Sequence, residues 1–167
     1  MSLQLNAPAR EPHDPLDILE EIVAANDWRF ERSLDGDMVV EIPGRWCEYR
    51  LFFLWRGDLG ALYFSCAFDI RVPEAKRHEI NDLLARVNET MWLGHFAVCA
   101  DERVPMFRHT LPMRGVRGAS VEQLEDLVDA AVGECDRFFP AFQWVLWGGK
   151  TAAEAIAAAV MEPVGEA

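Results

Sequence analysis

Basic charge is scarce in this chain. Its 16 Lys and Arg stand against 28 Asp and Glu, for a formal net charge of −12. Such a surface repels phosphate backbones and anionic bilayers, so neither nucleic acid nor membrane is an expected partner. Metal-ligand and redox spacings are missing too. The four cysteines, Cys47, Cys66, Cys99 and Cys135, include no C-x-x-C pair, and their gaps fit no zinc or redox template. No two of His13, His78, His95 and His109 stand at i, i+3 or i+4. No apolar run approaches the ~18 residues of a membrane helix. Met1 to Asn6 carries no basic or apolar leader, so no signal peptide is expected. The expected setting is a reducing cytoplasm with free thiols.

Catalytic patterns fare no better. Gly149-Lys150-Thr151 resembles the end of a phosphate-binding loop, but the first required glycine falls at Trp144. The segment reads instead as a helix C-cap followed by an N-cap. Cys47 and Cys66 fall on apolar strand faces, where a thiol behaves as a small hydrophobe with a raised pKa. Acidic pairs such as Glu20-Glu21, and Glu122 with Glu125, Asp126 and Asp129, belong to solvated helix faces. No catalytic residue, metal or cofactor is expected, and the chain is not read as an enzyme.

Hydrophobic residues are plentiful. They make up 51% of the chain, with six Trp and ten Phe, too many for a disordered segment and enough for the core of one domain. Residues 1–13 read as a disordered lead-in. Asp14-Pro15 is an N-cap followed by a proline at the first helical position, and Leu16, Leu19, Ile22 and Val23 form the stripe behind it. From Trp28 to Ile70 the period changes to two. Turn signals at Asp35-Gly36, Pro43-Gly44 and Arg56 to Gly60 divide this stretch into four strands. Pro73 to Trp92 is helical, with Ile80, Leu83, Leu84, Val87 and Met91 on one side. His95 to Ala100 and Val104 to Leu111 read as strands. Ser120 and Gln123 form a capping box for a long helix whose stripe starts at Val121, with a kink or restart expected at Pro140. Thr151 and Glu154 cap an Ala-rich helix that stops at Pro163.

The expected fold is α+β, an antiparallel sheet with helices on one face in the order α-ββββ-α-ββ-α-α. Its body is residues 14–147, and 148–167 form a C-terminal helical extension.

Apolar surface exceeds what one stripe per element needs. Trp46 to Trp55 places Trp46, Phe52 and Leu54 on the face away from the core, and Phe138 to Trp147 is apolar almost all round. These rings either fill a large core, in part against the C-terminal helix, or form a surface for a partner protein or a second copy in a homodimer. Trp46, Phe52, Tyr63, Trp144 and Trp147 are the candidate contacts. A second reading, a small-molecule sensor or minor enzyme, places a polar pocket between the sheet and the long helix, near Arg50, Arg108 and His109.

The whole-chain pattern resembles the YbjN family of bacterial proteins, proposed sensory transduction regulators, and its alphaproteobacterial branch in particular. The residues that carry the resemblance are Pro43 to Arg50, Trp92 to Phe96, Met106 to His109, Pro140 to Trp144, and Trp147 to Lys150. It implies a fold similar to type III secretion chaperones, and protein binding without catalysis. It brings no catalytic residue to these positions.

Overall fold

Asp14 and Pro15 start the first helix as their chemistry dictates. The computed structural model describes residues 13–161. In it the Asp14 carboxylate accepts the Leu16 N–H at 2.9 Å, opening α1, Pro15–Ala25. Leu16, Leu19, Ile22 and Val23 are its buried face. Then follow β1 Arg29–Arg32, β2 Asp37–Pro43, β3 Glu48–Arg56, β4 Ala61–Ala67, α2 Arg77–Asn88, β5 His95–Val98, β6 Pro105–Pro112, α3 Val121–Leu146 and α4 Ala152–Met161. This is the expected order. The expected lead-in, apart from His13, and the stop at Pro163 lie outside the described residues.

The six strands form one antiparallel sheet in the order β1-β2-β3-β4-β6-β5. Register aligns the inward side chains into rows, one running Phe30, Val40, Leu51, Cys66, Phe107, Phe96. Because side chains alternate along a strand, one face of the sheet can be wholly apolar. All the helices use that face: α1 lies against β2 and β3, α3 against β4 and β6, and α2 against β5. Phe68 joins the layers, meeting Phe139 and Phe142 of α3 edge-on at 5.5 and 5.1 Å. Arg32 fastens the β1 edge to α1, its guanidinium reaching Asp14, Asp17 and Glu20 at 2.8–3.0 Å.

Several boundaries differ from the sequence reading. β3 begins at Glu48, because the Gly44 N–H bonds the Cys47 carbonyl at 2.9 Å and keeps Trp46 and Cys47 in the turn. Cys47 is therefore half-buried beside the strand and not on its face. α2 is preceded by a 3-10 turn at Glu74–Lys76 and ends four residues before Trp92. The Ser120–Gln123 capping box forms, but Val121 is exposed, and the buried stripe of α3 starts at Leu124.

Pro140 does not end α3, which runs unbroken from Val121 to Leu146. A helical proline leaves the carbonyl four residues back without its N–H. Here that carbonyl belongs to Asp136, and it accepts the indole N–H of Trp46 at 2.8 Å. A tertiary donor replaces the missing one, so no break is needed. The Thr151–Glu154 capping box opens α4, which packs on α3 and α2. Its buried Ala152, Ala155 and Ala159 join the same core as the sheet.

Candidate functional site: the uncovered sheet face

The alternation that sends one set of side chains under the helices sends the other set outward, where no element of the described residues covers them. Register orders most of these into three rows, with Arg56, Ala61 and Pro112 beyond one end and Pro43 and Glu48 beyond the other. The first is Glu31, Val39, Phe52, Ser65, Arg108, His95. The second is Asp37, Leu54, Tyr63, Thr110. The third is Arg29, Glu41, Arg50, Ala67, Met106, Ala97. The middle of the face is apolar. Val39, Phe52, Ala97 and Met106 are half-buried by their neighbours, and Leu54 and Tyr63 are 38% and 36% exposed.

Charge is sorted across it. Glu41 lies between Arg29 and Arg50, at 3.5 and 3.6 Å. Among the described residues, Glu31 and Asp37 on the β1–β2 side make no ion pair, and neither does Arg108 on the β6–β5 side. Tyr63, Ser65, His95, Arg108 and Thr110 line a shallow hollow beside Phe52 and Leu54.

The sequence candidates divide between two surfaces. Phe52 and Tyr63 stand together on the uncovered face, one row and one strand apart. Trp46 is on the helical side, 41% exposed, held by Asp136 with the Arg45 guanidinium 4.9 Å from its ring. Trp144 is half-buried beneath Lys150, whose ammonium lies 4.5 Å from the ring centroid. Trp147, at the C-cap of α3, is 64% exposed. Trp92, which carried no role in the sequence reading, is 75% exposed. Its signal was its position outside the apolar stripe of α2.

The pocket expected between the sheet and the long helix is not formed by its three residues. Arg50 and Arg108 point outward from the uncovered face into solvent. His109 follows Arg108 directly and so belongs to the opposite face, in the row of Met38, Phe53 and Phe64. Burial, with His95 nearby, holds its imidazole below the usual histidine range. The space under α3 is filled by Phe53, Phe64, Phe107, Phe138 and Phe142, none more than 3% exposed. Among the described residues no polar or charged side chain is fully buried.

Burial sets the environment of three of the four cysteines. Cys66 and Cys135 face each other across the sheet–helix seam with sulfurs 3.6 Å apart, and burial pushes the Cys135 thiol well up. Burial also raises the Cys47 thiol. Among the described residues no cluster of His, Cys, Asp and Glu is placed to hold a metal ion. No described helix is long and apolar enough to cross a membrane.

The β5 edge is closed to strand addition by one side chain. Phe96 pairs with Phe107 on its inner side, which leaves its own N–H and C=O directed at the open edge. The Asn88 amide takes both, accepting from the N–H at 2.7 Å and donating to the carbonyl at 3.0 Å. A free edge is a template for pairing with another chain. Asn88→Ala is expected to cost about 2 kcal/mol for two partly buried bonds lost. It should also make the protein aggregate on heating. Urea unfolding and light scattering check this, and unchanged stability would show that the amide bonds contribute nothing.

Comparison with known proteins agrees with this architecture. A family model described as "YbjN: Putative bacterial sensory transduction regulator" matches residues 15–144. The match runs from α1 through most of α3 and leaves Trp147 and α4 outside it. The crystal structure of "YbjN, a putative transcription regulator from E. coli" is similar at a TM-score of 0.50 and 13% identity. The similarity covers 77% of this chain and 89% of that one. At that identity the likeness is one of fold alone. No curated protein matches the chain.

Proposed function

The chain belongs to the YbjN family, and from that premise we propose that it is a non-enzymatic regulator that binds polypeptide on the uncovered face of its sheet. The observation that carries the reading is the placement of every helix on one side. The other side is left as an apolar centre of Val39, Phe52, Leu54, Tyr63 and Met106, rimmed by charge. Apolar surface of this kind, framed by polar residues, is characteristic of protein contact sites. A sheet face suits an extended or helical segment laid across it, in the manner of a chaperone holding a client. The family's printed description as a sensory transduction regulator fits a role in which binding, and not chemistry, is the output.

A small-molecule sensor is the weaker alternative. The space beneath α3, where the sequence reading placed its pocket, is filled by phenylalanines.

The test is a photo-cross-linking residue at Tyr63 in the native cell, with Trp147 as the comparison site. Adducts to another polypeptide at 63 and few at 147 are expected. Adducts confined to 147, or none to any other protein at 63, would remove the uncovered face as the binding site.

A further inference from the structure

The geometry points to a second copy of this chain as the resting occupant of the uncovered face, an inference that rests on reading that face as a protein-binding surface. The two copies stack sheet on sheet about a twofold axis that runs along the strands, between β3 and β4. Such a rotation lays β3 on β4 of the second copy, β2 on β6, and β1 on β5, given the strand order β1-β2-β3-β4-β6-β5. A twofold interface must be complementary to itself, and this face is.

Of its unpaired acids, Glu31 and Asp37 lie on β1 and β2, and Glu48 opens β3. Its unpaired base, Arg108, lies on β6, beside His95 of β5. The rotation carries each acid half onto the basic half of the other copy. Glu31 then meets His95 of the second copy in the same row. Asp37 stands one row from Arg108 of the second copy, within reach of a guanidinium across stacked sheets ~10 Å apart. The axis itself crosses the apolar centre, where Leu54 meets Tyr63 of the second copy. The alternative rotation, about an axis across the strands, would set β2 on β2 and bring Asp37 against Glu41 of the second copy. Like charges disfavour it.

The area favours a reversible contact. Six strands at ~4.8 Å spacing and five residues at ~3.4 Å give a face of roughly 500 Å² per copy. Two such faces bury about 1,000 Å², the low end for a specific interface.

Sedimentation velocity of the full chain, from micromolar to several hundred micromolar, tests this. The mass should rise from 18.9 kDa toward twice that value. Phe52→Glu should abolish the rise. Tyr63→Lys is the substitute if Phe52→Glu does not keep the wild-type circular dichroism. Arg108→Glu should weaken the dimer about tenfold, and adding Asp37→Arg should restore it to within about threefold. Added salt should weaken the wild-type dimer, as it screens paired surface charges. A monomer at every concentration overturns the proposal, and so does a dimer that ignores both the apolar substitutions and the charge swap.

The two readings fail separately. A monomer that still cross-links to another polypeptide through Tyr63 removes the dimer and leaves the regulator reading intact. A face-to-face dimer whose Tyr63 cross-links only to its own kind supports the dimer and removes the regulator.

Discussion

Gly94→Ala is expected to destabilise the protein by about 4 kcal/mol, a large part of the roughly 5–15 kcal/mol that holds a domain of this kind folded. Two independent costs add at this position. Gly94 has φ +65°, a left-handed conformation that an L side chain adopts only with strain. A Cβ built there would overlap the Phe107 ring and stand 2.8 Å from the Arg108 carbonyl oxygen. Neither neighbour can yield cheaply. Phe107 is fully buried, with Phe64 and Phe96 at 6.2 and 5.9 Å, and the carbonyl belongs to a central strand of the sheet. Overpacking a closed core costs ~1–3 kcal/mol beyond the backbone strain. Gly115→Ala separates the two terms, because φ there is +87° but nothing lies within 4 Å of the added carbon. It should cost about 1 kcal/mol. Urea unfolding with unchanged slope measures both. Equal losses for the two variants would show that the Phe107 contact has no energetic weight.

Gly94 also illustrates what the sequence does and does not disclose. Its position after a helical stripe marks it as a helix terminator, but α2 ends at Asn88, six residues before it. The tight approach of the Phe107 ring involves a residue thirteen positions away, and no local pattern encodes it. The strands were legible for the opposite reason. Met38, Val40 and Ile42, or Leu62, Phe64 and Cys66, declare their inward face by alternation alone, and register follows once the turns are found. The same alternation turns the side chains of Arg108 and His109 to opposite faces, and the one hollow that both residues line lies on the uncovered face and not under the long helix.

Capping chemistry was equally readable, because Asp14, Ser120 with Gln123, and Thr151 with Glu154 act within three residues of themselves. Asn88 was not readable. At the end of an amphipathic helix it resembles any polar terminus, and its partners at Phe96 are set by how α2 lies beside β5. For the uncovered face, sequence identified two of its aromatic members, Phe52 and Tyr63. The sorting of its charges needed the strand order, which carries β6 into the place beside β4 and leaves β5 at the edge.

Asp136 is the other position where a small change should act strongly, and it explains how α3 passes through Pro140. Its carboxylate oxygen accepts the Arg45 N–H at 2.9 Å and the Tyr49 hydroxyl at 2.6 Å, while its backbone carbonyl accepts the Trp46 indole. One residue of the helix thus holds two residues of the turn between β2 and β3 and one of β3 itself. The Tyr49 ring is fully buried, and burial, then the bond to Asp136, pushes its phenol far above the usual range, so it remains a donor at all ordinary pH. Asp136→Ala strands that hydroxyl and frees the Arg45 N–H, which should cost about 3 kcal/mol. Asp136→Asn keeps an acceptor and should cost about 1 kcal/mol, the loss of charge assistance alone. Tyr49→Phe removes the stranded donor, so Asp136→Ala combined with Tyr49→Phe should lose at least 1 kcal/mol less than the two single losses added together. Additive losses would mean that the hydroxyl and the carboxylate do not interact. The Trp46 bond is made to the backbone and should survive all three variants, with its tryptophan emission unshifted. That outcome would separate the two functions of the residue: the side chain anchors the turn, and the carbonyl accepts the donor that Pro140 cannot supply.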